Sequence, residues 1–117
     1  APEEDPFVLR GELRDRAIQL ALDAPWLAPL LAHAKPSVMD HLPGIHDRGG
    51  DLIGAVVGLE FAEPLEVAGT FPFVEKPEHS DWGDARIVDQ KIEQKVSRII
   101  VVVSFRDGRA LGLWYLE

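Results

Sequence analysis

The stretch from Ile99 to Phe105, the turn Arg106-Asp107-Gly108-Arg109 behind it and the apolar segment 111–116 constrain this chain more than any other feature. Ile99 to Val103 are all β-branched, stiff at χ1 and suited to a pleated, buried strand. Asp107-Gly108 supplies the positive φ values that a two-residue hairpin connection needs. Leu111, Leu113 and Tyr115 then alternate with Gly112, Trp114 and Leu116, a closing strand. A chain that ends this way builds an antiparallel sheet.

The rest of the sheet reads backward from that hairpin. Residues 86–105 are predicted as one long extended stretch whose apolar phase changes, from Val88, Ile92 and Val96 to Ile99, Val101, Val103 and Phe105. A period of two cannot change face without an extra residue, so a β-bulge is expected near Ser97 and Arg98. A helix over 86–96 is the competing reading, because Val88, Ile92 and Val96 also fit a step of four. Residues 52–61 place Ile53, Ala55, Val57, Leu59 and Phe61 on one face, fully covered, and Leu52, Gly54, Val56, Gly58 and Glu60 on a lightly covered one. Glu63-Pro64 interrupts the ladder, after which Leu65, Val67, Phe71 and Phe73 resume the alternation. Residues 37–42 form a short strand carrying Val38 and His41. Pro43-Gly44 and 47–51 are turn chemistry, and 75–84 is a polar loop.

The front of the chain is helical. Residues 1–6 are a tail, with Asp5 as cap and Pro6 at the first helical position. Leu9, Leu13, Ala17, Leu20 and Ala21 form the apolar stripe, with Gly11 tolerated inside it. Pro25 ends this helix, and a short second helix over 26–33 brings Trp26, Leu27, Leu30 and Leu31 to one face. The expected fold is therefore α+β: residues 7–117 as a single domain, an N-terminal helix and a short second helix packed on a four-stranded antiparallel meander. Large apolar residues on the alternate phase, among them Val56, Val102, Trp114 and Leu116, imply that the second face is also partly covered. The short helix with the 75–84 loop, or a second subunit, would do this.

Composition removes several function classes. With 12 basic and 20 acidic side chains in 117 residues the net charge is −8, and the scattered Arg and Lys give no counterion-releasing patch, so nucleic acid is not an expected partner. No run of 18 apolar residues exists to span a membrane as a helix. Without cysteine there is no thiol catalysis, disulfide or thiolate metal site. No phosphate-binding Gly loop and no Gly-x-Ser-x-Gly elbow occurs, so no cofactor and no catalytic residue is assigned. His41 and His46 beside Asp40 and Asp47, and His79 with Asp81 and Asp84, have metal-binding chemistry without any metal-site spacing, and are read as loop residues. Trp26, Trp82, Trp114, Phe71, Phe73 and Tyr115 are core aromatics or the walls of a cleft between helix and sheet. Trp82, set among Ser80, Asp81, Gly83 and Asp84, is the one least suited to a core, and is expected to cap the sheet or to anchor a partner.

The helix Arg16-Ala17-Ile18-Gln19-Leu20-Ala21-Leu22, the stretch Leu52-Ile53-Gly54-Ala55-Val56-Val57 and the final Asp-Gly hairpin resemble PepSY-like domains of exported bacterial proteins. These share a cystatin-like helix-on-sheet shape. The long acidic loop at 75–84 is a departure from them. The resemblance implies a non-enzymatic binding or regulatory module, often inhibitory or propeptide-like, with no catalytic residues to carry over. An extracytoplasmic location is expected on the same grounds and from the charged, Pro-containing start Ala1-Pro2-Glu3-Glu4-Asp5-Pro6. The expected partner is a protein or peptide, or a second copy in a homodimer through an open sheet face or edge. Trp82, His79, His41 and Trp114 are the contact candidates. The alternative is a small-molecule binding protein or cone-shaped enzyme, with His41 or His79 in a pocket between sheet and helices.

Overall fold

The structure, a computed structural model, describes residues 8–75 and 85–117. Helix α1 (Gly11–Leu22) leads through a 3₁₀ turn (Pro25–Leu27) into the single turn α2 (Ala28–Leu31). Five strands follow: β1 (Ser37–Val38), β2 (Gly44–His46), β3 (Leu52–Glu75), β4 (Arg86–Ser104) and β5 (Arg109–Leu116). The fold is α+β, with two short helices on an antiparallel sheet, as the periodicities require. Residues 86–96 are strand, not helix.

Beginning at Gly11, α1 starts later than its apolar stripe suggested. Gly11 has φ 62°, a value a right-handed helix cannot use, so the preceding chain stays extended. There Leu9 donates its N–H to the Leu42 carbonyl at 2.9 Å, and Val8 bridges to Pro43. Asp5 and Pro6 lie outside the described residues. The helix buries Ala17 and Ala21, both fully, and leaves Leu13 exposed. Two alanines one turn apart let its backbone lie close to the sheet. Arg16 sits 5.5 Å from the centre of the Phe105 ring, a cation–π contact that ties the helix to the end of β4.

Strand β3 is the spine of the sheet. Along one edge of its first half lie β2, with Gly44 opposite Ala55, and then β1, with Val38 opposite Leu59. Residue 44 was expected in a turn and instead opens this short strand, so the sheet has five strands where four were anticipated. On the other edge β4 pairs residue for residue, Gly54 opposite Ser104 through Glu60 opposite Arg98. The register then jumps: Leu65 is opposite Val96, so residues 61–64 of β3 face Ser97 alone. Phe61 turns into the core while Ala62, Glu63 and Pro64 bulge into solvent. In β4 the core phase passes from Val96 to Ile99 at this point, at the position the sequence pattern marked.

Beyond the bend the β3–β4 ribbon folds back across the sheet until Phe73 pairs in parallel with Leu113 of β5. That single parallel bridge departs from a simple meander. At the crossing the backbones almost touch: a Cβ on Gly112 would lie 2.8 Å from the Pro72 carbonyl oxygen. Only glycine fits there.

Both faces of the sheet are buried where β3 and β4 run together. The larger core joins Ala17, Ala21, Leu27 and Leu42 to Val57, Leu59, Phe61, Val67, Phe71, Ile99, Val101 and Leu113. A second cluster, Ile45, Val56, Val74, Ile100 and Val102, covers the other face with help from Met39, Ala85 and Leu111. That face was expected to be partly covered, by the short helix with the 75–84 loop or by a second subunit; residues 76–84 lie outside the described residues. Among the described residues the cover comes from β2, the Met39 side chain lying over Gly58, and the returning ribbon, while Leu27 and Leu30 of the helical segment pack into the larger core. None of the described helices is long and apolar enough to cross a membrane.

Replacing Gly112 with alanine is expected to wedge the ribbon away from β5 and to lower unfolding stability by about 1–3 kcal/mol. Urea unfolding of Gly112→Ala measures this; an unchanged midpoint would mean that the crossing is not tight.

Candidate functional site

Several concave regions among the described residues carry polar groups. The largest, an open cleft of about 670 Å³, lies between the first half of β4 and the end of β5. Its walls are Arg86, Gln90, Ile92 and Gln94 on one side and Trp114, Tyr115 and Leu116 on the other, with Phe73 and Val74 between them. The alternation of β4 brings 86, 90, 92 and 94 to one face, and the fold-back of the ribbon sets that face against β5. Trp114 and Tyr115 meet edge to face, ring centres 5.7 Å apart. Each is 43% exposed, although Gly112 and Leu113 just before them are buried. The Gln90 amide donates to Glu75 Oε1 at 3.3 Å across the ribbon, which holds that wall in place.

A smaller cavity of about 260 Å³ lies on the second face, floored by Ile45, Ile53, Val102 and Leu111 and rimmed by Ser104, Arg106 and Arg109. Arg106 is anchored there by Asp47 Oδ2 at 2.9 Å, which ties together the two hairpin turns at this end of the sheet. Ser104 Oγ accepts the Asp107 N–H at 3.1 Å and closes the second turn.

The third region is a hollow beside the start of α1, lined by Leu9, Arg10, Arg14, Asp40 and His41. His41 is exposed in it. It does not enter the cavity of about 340 Å³ that lies between the helical segment and the start of β5, lined by Leu20, Asp23, Trp26, Arg109 and Ala110, and the rest of the helix–sheet interface is filled by Ala17, Ala21, Leu27, Leu42 and Leu59. Asp47, once grouped with His41 and His46, is taken up by its turn and by Arg106. Among the described residues no three His, Asp or Glu side chains come together as metal ligands. His79, Asp81, Trp82 and Asp84 lie outside the described residues.

The six aromatics considered from sequence thus divide. Phe71 and Phe73 are core, Trp26 packs half-buried against it, Trp82 is not described, and Trp114 with Tyr115 faces the cleft. The cleft lies between two parts of the sheet, not between helix and sheet. Gln90, Ile92 and Gln94 were not anticipated, since only the fold-back places them opposite β5. No protein-family model, curated protein or solved structure matches the chain.

The carboxyl of Asp47 is held below the ordinary carboxylate value, first by the Asp51 N–H at 2.9 Å and further by the Gly49 N–H and Arg106. Its folded value is below its unfolded one, so the turn adds stability that is present above the unfolded value and lost as pH falls through the folded one. Asp47→Asn is therefore expected to flatten the acid side of the stability–pH profile below about pH 4, as read from urea midpoints. A profile parallel to that of the wild type would remove Asp47 from the acid response.

Proposed function

We propose that this protein is a non-catalytic binding or regulatory module that takes an extended segment of a protein or peptide partner into the cleft between β4 and β5. The observation that carries the reading is the exposure of Trp114 and Tyr115 side by side on one wall. Leaving two adjacent large aromatic rings each 43% exposed forgoes burial that a nearby core could supply, and such residues dominate the energetics of recognition surfaces. The opposite wall supports it. Gln90 and Gln94 each offer an amide donor and acceptor, the pairing that a main-chain peptide group presents. Between them Ile92 supplies apolar contact, and the cleft is open, a shape that admits a chain passing through.

The element order, a helix followed by hairpin-linked strands and a final Asp-Gly turn, supports grouping the domain with PepSY-like domains of exported bacterial proteins. An extracytoplasmic location goes with that grouping.

Selection of peptides from a displayed library against the wild-type protein tests the reading. Their dissociation constants are expected to rise about ten- to a hundredfold for Trp114→Ala/Tyr115→Ala. The urea midpoint of that variant should stay near the wild-type value, because both side chains are well exposed. Peptides that bind the double variant as tightly as the wild type would overturn the assignment.

A further inference from the structure

The outer half of β4 has a sheet edge without a strand partner among the described residues. β4 pairs with β3 from Arg86 to Ser104, but with β5 only from Ile99 onward. At Ser97 and Arg98 the edge is taken by the Glu117 carbonyl, which accepts their N–H groups at 2.6 and 3.1 Å. Residues 88–96 therefore present open backbone donors and acceptors, the feature that recruits another strand.

Their sequence is Val88-Asp89-Gln90-Lys91-Ile92-Glu93-Gln94-Lys95-Val96. Laid antiparallel on itself about Ile92, it is complementary at every position. Val88 faces Val96, Asp89 faces Lys95, Gln90 faces Gln94, Lys91 faces Glu93, and Ile92 faces its own copy. A two-fold axis normal to the sheet pairs only positions of equal parity, so the competing registers are few. Centring on Lys91 sets that lysine against itself and Asp89 against Glu93. Centring on Glu93 sets Glu93 against itself and Lys91 against Lys95. Centring on Gln90 retains the Asp89–Lys91 pairs but puts Ile87 against Glu93. The Ile92 register alone joins every charge to its opposite.

Nothing among the described residues accounts for that order. Asp89, Lys91 and Glu93 face Pro72, Thr70 and Ala68 across the ribbon, and Lys95 faces Glu66 without forming an ion pair. All four are exposed, and so is Val88. Edge protection requires charge but has no need of inverse symmetry.

We infer that β4 pairs with the same strand of a second copy across a two-fold axis at Ile92, joining two sheets into one. The inference does not depend on the use of the Trp114 cleft and is read by oligomeric state alone. Light scattering after size exclusion, over about three decades of protein concentration, should show a concentration-dependent dimer. Asp89→Lys/Glu93→Lys and Lys91→Glu/Lys95→Glu each turn all four opposite-charge pairs into like-charge pairs. Either variant alone should dimerise at least about a hundredfold more weakly. An equimolar mixture should recover the dimer, because the two altered edges are again complementary. That recovery also shows both variants to be folded. Ile92→Lys, which sets two ammonium groups on the axis, should be monomeric. A wild type that stays monomeric throughout, charge variants that remain dimeric, or a mixture that fails to recover the dimer would each overturn the inference.

Discussion

The bend in the β3–β4 ribbon is the constraint on which the molecule depends. At about 3.3 Å per residue a straight strand of 24 residues would run to roughly 80 Å, whereas the molecule's longest dimension is 38 Å. The ribbon has to fold on itself, and it does so where Pro64 has no N–H to give the ladder and residues 61–64 oppose Ser97 alone. Arg98 braces the corner, reaching Glu60 at 2.7 Å and Glu117 at 2.8 Å. These exposed pairs are individually weak and serve position more than stability. The driving force is apolar, since bending returns Val67, Phe71 and Phe73 to the core that Val57, Leu59 and Phe61 began.

The same bend creates the surface features. It sets the cleft-facing residues of β4 opposite Trp114 and Tyr115, side chains far apart in sequence and in any unbent sheet. It also carries the outer half of β4 away from the core: Val96 is buried, Ile92 half-buried and Val88 36% exposed. Burial and exposure are thus divided along one strand. Its inner half, 99–104, is covered on both faces, while its outer half is left with an open edge and an amide-lined face.

Much of the scaffold was legible in the sequence because period-two alternation and turn chemistry are local signals. The Asp-Gly hairpin, the phase change at Ser97–Arg98 and the interruption at Pro64 all fall where the pattern put them, although the hairpin turn spans 105–108, between paired Ser104 and Arg109, where a two-residue connection was expected. The start of α1 was not legible, since a tolerated Gly11 and a chain-breaking Gly11 look alike until φ is known. Nor was β2, whose three residues are too few to show a period of two, although the 47–51 segment that joins it to β3 read as turn chemistry. The cleft was half legible. Trp114 stood out as a large apolar residue on the outward phase, but its opposite wall depends on the fold-back, which no local pattern encodes.

The inverse charge order of 88–96 was in the sequence from the start and carried no meaning there. Alternating Asp, Lys, Glu and Lys on an exposed strand is what any protected edge requires. It becomes informative only once the structure shows that no strand among the described residues pairs with this edge over those nine residues and that Glu117 closes it at Ser97, so that the complementary stretch and the available stretch coincide. The geometry also links the two surfaces. Because a two-fold axis normal to the sheet keeps each face on its own side, pairing at Ile92 puts both Trp114 clefts on one face of a continuous sheet. Gln90 of one copy then lies beside Gln94 of the other. A partner chain long enough to cross the axis would meet two sets of aromatic anchors, and its second engagement would be intramolecular, so that modest contacts at each cleft yield tight binding overall.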